Sequence, residues 1–314
     1  MANELKLAEL EGDSALRLFI RRVKRHPAFR IYKKPGDLVK DFLPNVWRMS
    51  THHFRHLPTT VIVGAQKAGT TQLFAHLVTH PRCYEGSRKE VDYFSKNPHR
   101  SVGWYRSHFP LAIRVTRKHS HVMEASPSYL PTPSALRQMR QVLPKARVIV
   151  LLRDPVSRAF SHYQHRKTRG LESRTFAECV AEEIRANPFP ANLGVAIRPK
   201  AEPMLGYLAR GYYALQLELL LKLFPRNKVL VLDSAGLFND TTAICERVFN
   251  FMGLDSFEVQ PKKIYNRGYY KEKIDPVIAE ALHAHFQPYN ELLPQVIEQQ
   301  FSWTSSENVR AKAA

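Results

Sequence analysis

The sequence lacks any apolar run approaching the roughly 18 residues that a membrane-spanning helix requires. Its N-terminus, MANELKLAEL, is charged and has no apolar core of the kind found in signal peptides. These absences argue against a membrane-spanning or secreted protein. We expect a cytoplasmic or peripherally membrane-associated one.

Cysteine is scarce as well. Cys83, Cys179 and Cys245 lie far apart in the sequence, and no CxxC pair is present. A disulfide framework or a zinc site needs paired or closely spaced cysteines. We therefore expect buried free thiols and no metal site.

Acidic residues are few relative to basic ones. Asp and Glu number 28 against 47 Lys and Arg, which gives a formal net charge of +19 over 314 residues. This imbalance favours polyanionic partners such as nucleic acid, anionic lipid, a phosphorylated cofactor or an acidic polysaccharide. No zinc finger or RNP motif is present, so nucleic acid is not an expected partner.

The first part of the chain differs in composition from the rest, and we predict a basic extension over residues 1–58 and a domain over 59–314. Four apolar residues repeat at helical spacing within residues 14–26: Leu16, Phe19, Ile20 and Val23. Arginines and lysines fill the positions between them, and Pro27 ends the short amphipathic helix. This helix could contact an anionic membrane surface or dock on its own domain.

Alternating strand and helix patterns predict an α/β fold. Apolar, β-branched segments indicate buried strands at residues 59–63, 121–124, 147–152 and 228–232. Helical patterns cover residues 73–78, 135–142, 155–165, 175–185, 212–224, 241–252 and 276–286. Residues 187–203 and 262–273 are predicted loops. The alternation implies a P-loop-like three-layer sandwich with a central parallel sheet of about five strands.

The clearest candidate site lies in the segment TTVIVGAQKAGTTQLFAHLVTH, residues 59–80. A strand is followed by a loop of small residues that begins at Gly64, and then by a helix. This arrangement aims backbone N–H groups and a helix N-terminus at a phosphate. Lys67 adds a full positive charge. The alternative is a tight strand–helix turn that binds nothing.

The position of the lysine is unusual for a nucleotide-triphosphate loop. That loop reads Gly, four residues, Gly-Lys-Ser/Thr. Gly64 and Gly69 fit this frame, but Thr70 occupies the lysine position and Lys67 lies inside the loop. The spacing therefore argues against a standard ATP-binding loop.

A second candidate anion site follows the strongest predicted strand. Arg153 comes directly after that strand, at the edge where open α/β sheets bind ligands. Ser161 lies about two helical turns further on. A guanidinium and a hydroxyl suit a phosphate monoester. The alternatives are a structural salt bridge between Arg153 and Asp154, or a magnesium-binding strand end at Asp154.

Five segments occur in the order IVGAQKAGTT, KEVDYF, GWYRSHFP, EASPSYL and VIVLLRDPVSRAFSHY. In these segments the sequence resembles sulfotransferases that use 3′-phosphoadenosine 5′-phosphosulfate (PAPS). The resemblance covers residues 59–303 and is best to the heparan-sulfate glucosaminyl 3-O- and N-sulfotransferases and their bacterial relatives. It implies PAPS as the sulfuryl donor and no required metal.

The resemblance also implies a set of cofactor-binding residues. The 5′-phosphosulfate would be held by Lys67, Gly69, Thr70 and Thr71, and the 3′-phosphate by Arg153 and Ser161. Further cofactor-binding candidates are Gly64, Gln66 and Ala68 in the first loop, Tyr212 at the start of a predicted helix, and Arg267, Gly268 and Tyr269 in a late basic loop.

Glu90 matches the family's general base in an acidic-Val-x-x-Phe segment. In-line sulfuryl transfer needs an acceptor hydroxyl relieved of its proton. It also needs positive charge near the leaving phosphate, which Lys67 supplies. The alternative for Glu90 is a solvated carboxylate paired with Lys89 or Arg88. The alternative base is His162.

The sequence departs from the family pattern at one position of the predicted site. In the 3-O-sulfotransferase type a lysine precedes the small-Pro-x-Tyr step, and here that place is Ala125, with Glu124 retained beside it. The missing cation could come from Arg88, Lys89 or Arg106.

The predicted function is PAPS-dependent sulfation of a hydroxyl or amine on a carbohydrate acceptor. The basic composition favours an acidic or sulfated glycan, and a small hydroxylated metabolite is the alternative acceptor. Two other classes of protein remain open: an ATP-dependent kinase on a P-loop scaffold, and a non-catalytic polyanion-binding protein.

Overall fold

The computed structural model describes residues 43–115, 117–186, 206–259 and 272–304. The chain divides into two compact units, residues 1–52 and 53–314. In the first unit, Leu43–Ser50 forms helix α1. The basic helix predicted within residues 14–26, and its membrane contact, lie outside the described residues. The predicted division of the chain at residue 58 stays a prediction.

The second unit is built on one parallel sheet. Its strands are β1 (Thr60–Gly64), β2 (Cys83–Glu85), β3 (His121–Ala125), β4 (Arg147–Leu152) and β5 (Val229–Asp233). They lie in the order β2-β3-β1-β4-β5, and every neighbouring pair is parallel. This confirms the predicted α/β class and the five-stranded parallel sheet.

Strand β1 occupies the centre of the sheet. Val61 pairs with Glu124 of β3 on one side and with Val148 of β4 on the other. All five residues of β1 and of β3 are buried, as are all but the first of β4. Helices cover both faces of such a sheet, which is why the strands are apolar without alternation. This continuous burial made these strands predictable.

One to three helices follow each strand of the second unit. They are α2 (Thr70–Leu77), α3 (Tyr93–Lys96), α4 (Val102–Ser107), α5 (Pro133–Val142), α6 (Pro155–Lys167), α7 (Phe176–Ala186), α8 (Tyr213–Leu223), α9 (Ser234–Asn239), α10 (Thr241–Met252) and α11 (Pro276–Ile297). Short 3₁₀ turns lie at His52–Phe54, Ala112–Arg114, Ala209–Gly211 and Arg226–Lys228.

Two predicted elements differ from the structure. Cys83–Glu85, which is not among the predicted strands, is the edge strand β2. Helix α11 does not end near Phe286 but continues through Pro288 and Pro294 to Ile297. Proline removes a helical hydrogen bond and normally ends or kinks a helix. Here buried side chains continue at helical spacing past both prolines, and their packing outweighs the free-energy cost of proline within a helix. Its buried apolar members are Leu282, Phe286, Tyr289, Leu293 and Ile297. The predicted loop at residues 187–203 lies outside the described residues.

Two hydrophobic clusters form the core of the second unit. The larger one surrounds the sheet, and the smaller one joins α6, α7, α11 and the turn before α8. Cys83, Cys179 and Cys245 are buried within these clusters and free, which confirms the prediction of free thiols. Among the described residues, no helix has both the length and the apolar character needed to cross a membrane.

Candidate active site

The two predicted phosphate sites meet because β1 and β4 are neighbours in the sheet. The loop after β1 carries Lys67, and the residue after β4 is Arg153. The Nη1 atom of Arg153 donates a hydrogen bond to the Lys67 carbonyl oxygen at 3.2 Å. In open α/β sheets, ligands bind at this carboxyl edge, where the strand order reverses. The topology therefore joins two anion-binding segments that are far apart in the sequence.

The backbone of the first loop depends on its glycines. Gly69, directly before α2, has a φ of 97°, a conformation that favours glycine. A Cβ atom on Gly64 would lie 2.7 Å from the Cβ of Leu130. Ala68 is fully buried, which anchors the loop between the two glycines. These contacts shape the loop and leave Lys67 at its surface, with a φ of 71°.

A cleft of about 1070 Å³ opens over this loop. The predicted site residues that line it are Gln66, Lys67, Gly69, Thr70, Thr71, Glu90, Arg153 and Ser161. Gly64, the last residue of β1, and the buried Ala68 are not among the lining residues. The structure thus brings together residues from three separated segments, two predicted to bind the cofactor and one predicted to carry the base. Arg267, Gly268 and Tyr269 lie outside the described residues.

Tyr212, another predicted cofactor residue, is also not among the residues that line the cleft. Its hydroxyl lies 2.8 Å from Nε2 of His285, and its ring packs against Tyr289 with centroids 4.5 Å apart. Both partners belong to α11, so Tyr212 joins the smaller core cluster. Its place at the start of α8 therefore serves packing between helices.

Lys67 is partly withdrawn from water. Desolvation, followed by the positive charge of Arg153, lowers the pKa of Lys67 to about 8, and Arg169 adds to the effect. The carboxylate of Glu90 acts in the opposite direction. Positive charges gathered in a partly dry cleft disfavour one another, and a bound anion would relieve this repulsion. The electrostatics of the loop therefore suit a phosphate or phosphosulfate ligand.

Glu90 lies at the junction of two cavities. It lines the large cleft and also an adjoining recess of about 190 Å³. Its backbone N–H donates to the carbonyl of Ala125 at 3.1 Å, and its φ is 59°. Lys89 donates to its carboxylate at 2.6 Å, and 45% of the Glu90 side chain is exposed. The ion pair foreseen as an alternative thus exists, and the carboxylate still faces the cleft.

A buried hydrogen-bond network lies behind the Glu90 loop. The backbone N–H of Asp92 donates to Ser126, and the Ser126 hydroxyl donates to Glu124. Glu124 also accepts hydrogen bonds from the hydroxyls of Tyr105 and Tyr129. Because buried polar groups are costly unless partnered, a satisfied network of this kind fixes the backbone around it. It gives the Glu90 segment a defined position over the carboxyl end of β3.

This network predicts a pH-dependent contribution to stability. Burial raises the pKa of Glu124 to about 7 from its usual value of 4.5, against the opposing effect of its hydroxyl partners. The folded chain holds this proton up to a higher pH than the unfolded chain. The stabilisation is therefore complete below about pH 4.5 and is lost as the pH rises through 7.

We expect the unfolding free energy of the wild type, relative to Glu124→Gln, to fall by about 3 kcal/mol between pH 4.5 and pH 8. Denaturant unfolding of both proteins at a series of pH values measures this difference. A difference that stays constant over this range would contradict the assignment to Glu124.

Of the three cations foreseen as substitutes for the missing lysine, Lys89 is paired with Glu90 at 2.6 Å. Arg88 donates to the Val91 carbonyl and lies over the Trp104 ring. Neither it, nor Lys89, nor Arg106 is among the described residues lining the cleft. Arg169, two residues beyond α6, lines both the cleft and the recess. Sequence reasoning missed it because only the fold brings the end of α6 opposite Glu90.

The histidine proposed as an alternative base is buried in the recess. His162 is 3% exposed and lines the recess wall. Desolvation and the charge of Arg158 lower its pKa well below 6.5. A general base works best with a pKa near the working pH, so this environment makes His162 a weak base.

Asp154 has a structural role that bears on the magnesium alternative. Its Oδ1 accepts a hydrogen bond from the Ser157 N–H at 2.7 Å, which caps the N-terminus of α6. Among the described residues Asp154 forms no ion pair with Arg153, and its Oδ2 lies 3.9 Å from Nδ1 of His283. Because Pro155 stands at the first turn, the carboxylate and the proline together define where α6 begins.

Aromatic side chains add a surface that the sequence alone did not indicate. Phe160, Phe238 and Trp303 line the cleft and come from α6, α9 and the segment after α11. Phe238 is 51% exposed. Flat apolar rings beside phosphate-binding groups suit a purine nucleotide. The chain is an α/β protein whose cleft, at the carboxyl edge of its sheet, suits a phosphorylated ligand.

Comparison with known proteins gives the family. Residues 57–286 match the family described as Sulfotransferase domain, and the chain belongs to this sulfotransferase family. The bifunctional heparan sulfate N-deacetylase/N-sulfotransferase 3 of Homo sapiens is 28% identical over 256 residues, which cover 74% of this chain and 28% of that protein. The corresponding enzyme 1 of Mus musculus is 30% identical over 205 residues, covering 63% and 22%. The chain thus spans about a quarter of the length of these relatives.

A solved structure supports the same conclusion. The sulfotransferase from Alicyclobacillus acidocaldarius aligns with a TM-score of 0.63 and 28% identity, over 80% of this chain and 100% of that one. The chain is therefore a sulfotransferase by family and fold. This result favours the sulfotransferase prediction over the kinase and over the non-catalytic polyanion-binding protein.

Proposed function

We propose that this sulfotransferase transfers the sulfuryl group of PAPS to an amine or hydroxyl of a glycan acceptor. Glu90 is the general base, Lys67 stabilises charge on the leaving phosphate, and Arg153 with Ser161 binds the 3′-phosphate. The observation that carries this proposal is the position of Glu90. It lines the phosphate cleft together with Lys67 and also the recess beside it.

The arrangement suits an in-line displacement. PAPS in the cleft would supply an activated sulfuryl group to an acceptor on the Glu90 side. Glu90 then accepts the proton of the attacking acceptor group as its oxygen or nitrogen bonds to sulfur. Lys67 stabilises the negative charge that develops on the 5′-phosphate as the sulfur–oxygen bond breaks. Positioning and fixed charge supply most of the rate, as in phosphoryl transfer.

The choice of a glycan acceptor rests on charge and on the relatives. The chain carries a net charge of +19, and several of its cations line the two cavities. The curated relatives are named as heparan sulfate N-sulfotransferases. A glucosamine-containing acidic glycan is therefore the proposed acceptor. A small hydroxylated metabolite is the second candidate, because PAPS alone accounts for part of the basic character.

Thermal unfolding with nucleotide ligands tests the cofactor assignment. We expect adenosine 3′,5′-bisphosphate (PAP), without magnesium, to stabilise the wild type by about 2.7 kcal/mol at 100 times its dissociation constant. AMP, which lacks the 3′-phosphate, should stabilise less. Arg153→Ala should reduce the effect of PAP to that of AMP, since the guanidinium lines the cleft.

Arg137→Ala is the matched control, because Arg137 is an exposed arginine on α5 away from the cleft. It should retain the full response to PAP. Stabilisation by ATP with magnesium but not by PAP would contradict the proposed donor. Equal responses to PAP and AMP would contradict the role of Arg153.

A further inference from the structure

The recess beside Glu90 contains more positive charge than its acidic residues neutralise. Its charged or ionisable lining residues are Glu90, Asp92, Lys96, His162, His165, Arg166, Arg169 and Arg210. Lys96 is paired with Asp92 at 2.6 Å, and Glu90 is paired with Lys89. The three arginines have no ion pair with a carboxylate within the described part of the chain.

Arg210 forms the buried part of this recess. It is 5% exposed, and its Nε and Nη1 atoms have no hydrogen-bond partner among the described residues. Burial, followed by the charge of Arg158, lowers its pKa to about 10, so the guanidinium is still protonated at neutral pH. An unpaired buried charge is costly, and natural proteins rarely keep one without a use.

Two acids act on the charge of Arg210, Asp92 and Glu183, and neither neutralises it. Asp92 is already paired with Lys96. Glu183 accepts hydrogen bonds from the backbone N–H groups of Tyr207, Leu208 and Ala209 at 2.6–2.9 Å. These bonds hold the turn that carries Arg210. The fully buried Arg158 lies close enough to lower the pKa of Arg210, so two arginines face this one carboxylate. The interior behind the recess is therefore deficient in negative charge.

We infer that the recess is a binding site for a carboxylate or sulfate group of the acceptor, held by Arg210 with Arg166 and Arg169 at its rim. This inference rests on the proposed function. The recess shares Gln66, Glu90, Pro127, His165 and Arg169 with the cofactor cleft. An acidic group bound there would place a neighbouring hydroxyl or amine beside Glu90. At about 190 Å³, the recess far exceeds the roughly 10–15 Å³ that one water requires.

The site would select acceptors by charge. Hydrogen bonds from a guanidinium to a carboxylate or sulfate are about twice as strong as neutral ones, and a planar fork matches both groups. A neutral sugar would leave the guanidinium unpaired. The acceptor class that follows is a saccharide with an acidic substituent close to the amine or hydroxyl that receives the sulfuryl group.

Binding of glucuronate to the PAP-saturated enzyme tests this site. PAP occupies the cofactor cleft, and glucose with an equal concentration of sodium chloride controls for the sugar ring and ionic strength. We expect sodium glucuronate to raise the melting temperature of the wild type further than glucose does. Arg210→Gln should lose this increment, with a dissociation constant at least about tenfold weaker. Arg137→Gln should keep it.

The outcomes separate the two proposals. Absence of an increment in the wild type, or its retention in Arg210→Gln, overturns the acidic-group site. If PAP fails to stabilise the wild type, the proposed donor is wrong, and the glucuronate titration without PAP still tests the recess. Arg210→Lys, which keeps the charge, should recover part of the increment. If Arg210→Gln does not fold, Arg166→Gln at the rim takes its place, and full retention there overturns the proposal.

Discussion

Replacing Glu90 by glutamine is expected to lower kcat for sulfuryl transfer by about 10²–10⁴-fold, the usual contribution of a general base. Glutamine keeps the size and the hydrogen-bonding ability of the side chain but cannot take up the proton of the attacking hydroxyl or amine. The affinity for PAP should stay unchanged, because the proposed phosphate-binding groups are in the loop after β1 and on Arg153. Steady-state kinetics and PAP titration of the purified variant measure the two quantities.

Glu85→Gln is the matched control for this variant. Glu85 is an exposed glutamate at the end of β2, outside the residues that line the cleft and the recess. It should retain wild-type kcat. If Glu90→Gln keeps kcat within about threefold of the wild type, proton transfer is carried by another group. A parallel loss in PAP affinity would instead indicate a collapsed loop.

The parts of the site that the sequence predicted are those encoded in short continuous segments. A buried strand, a glycine-bounded loop and a following helix are local patterns, and the structure has them at β1, Gly64–Thr70 and α2. Arg153 was likewise predicted from a local pattern, because it directly follows the buried strand β4. Because parallel strands end at one edge, the meeting of the two segments could be anticipated from their order.

The parts that the sequence did not predict depend on contacts between distant segments. Arg210 lies three residues before the start of α8, yet it lines the recess together with Glu90. No local pattern marks it, since a single arginine between apolar residues is ordinary. Tyr212 shows the converse case: it is close to Arg210 in the chain, but its ring packs on α11. Which side of a turn faces a cavity is fixed by packing of the whole domain.

Once the fold was known, the unpaired guanidinium of Arg210 indicated that the recess could bind an anion. A lysine is missing at the position of Ala125, and the sequence offered three nearby basic residues as replacements. The structure instead places Arg169 and Arg210 at the recess, from segments 44 and 85 residues further along the chain. Basic residues are abundant in this sequence, so only the fold could distinguish those that face Glu90.

Replacing Lys67 by methionine is expected to lower kcat by about 10²–10³-fold, the loss seen when a group that stabilises transition-state charge is removed. Methionine preserves much of the side-chain length while removing the charge. The loss of PAP affinity should be smaller than the loss of rate, because the leaving phosphate gains charge only as sulfur is transferred. Lys145→Met, at an exposed position before β4, is the matched control.

The pH dependence of PAP binding tests the same lysine without mutating it. Because desolvation and Arg153 lower the pKa of Lys67 to about 8, the free enzyme carries the ammonium charge below that pH and loses it above. The affinity of the wild type for PAP should therefore weaken as the pH rises through 8. Arg153 stays charged throughout this range and cannot produce the change.

Two variants serve as controls. Lys67→Arg should remove the weakening, since its guanidinium also stays protonated. Lys67→Met should bind PAP weakly, with an affinity that does not change with pH. If the affinity of the wild type for PAP stays constant up to pH 9.5, Lys67 does not bind a phosphate of PAP.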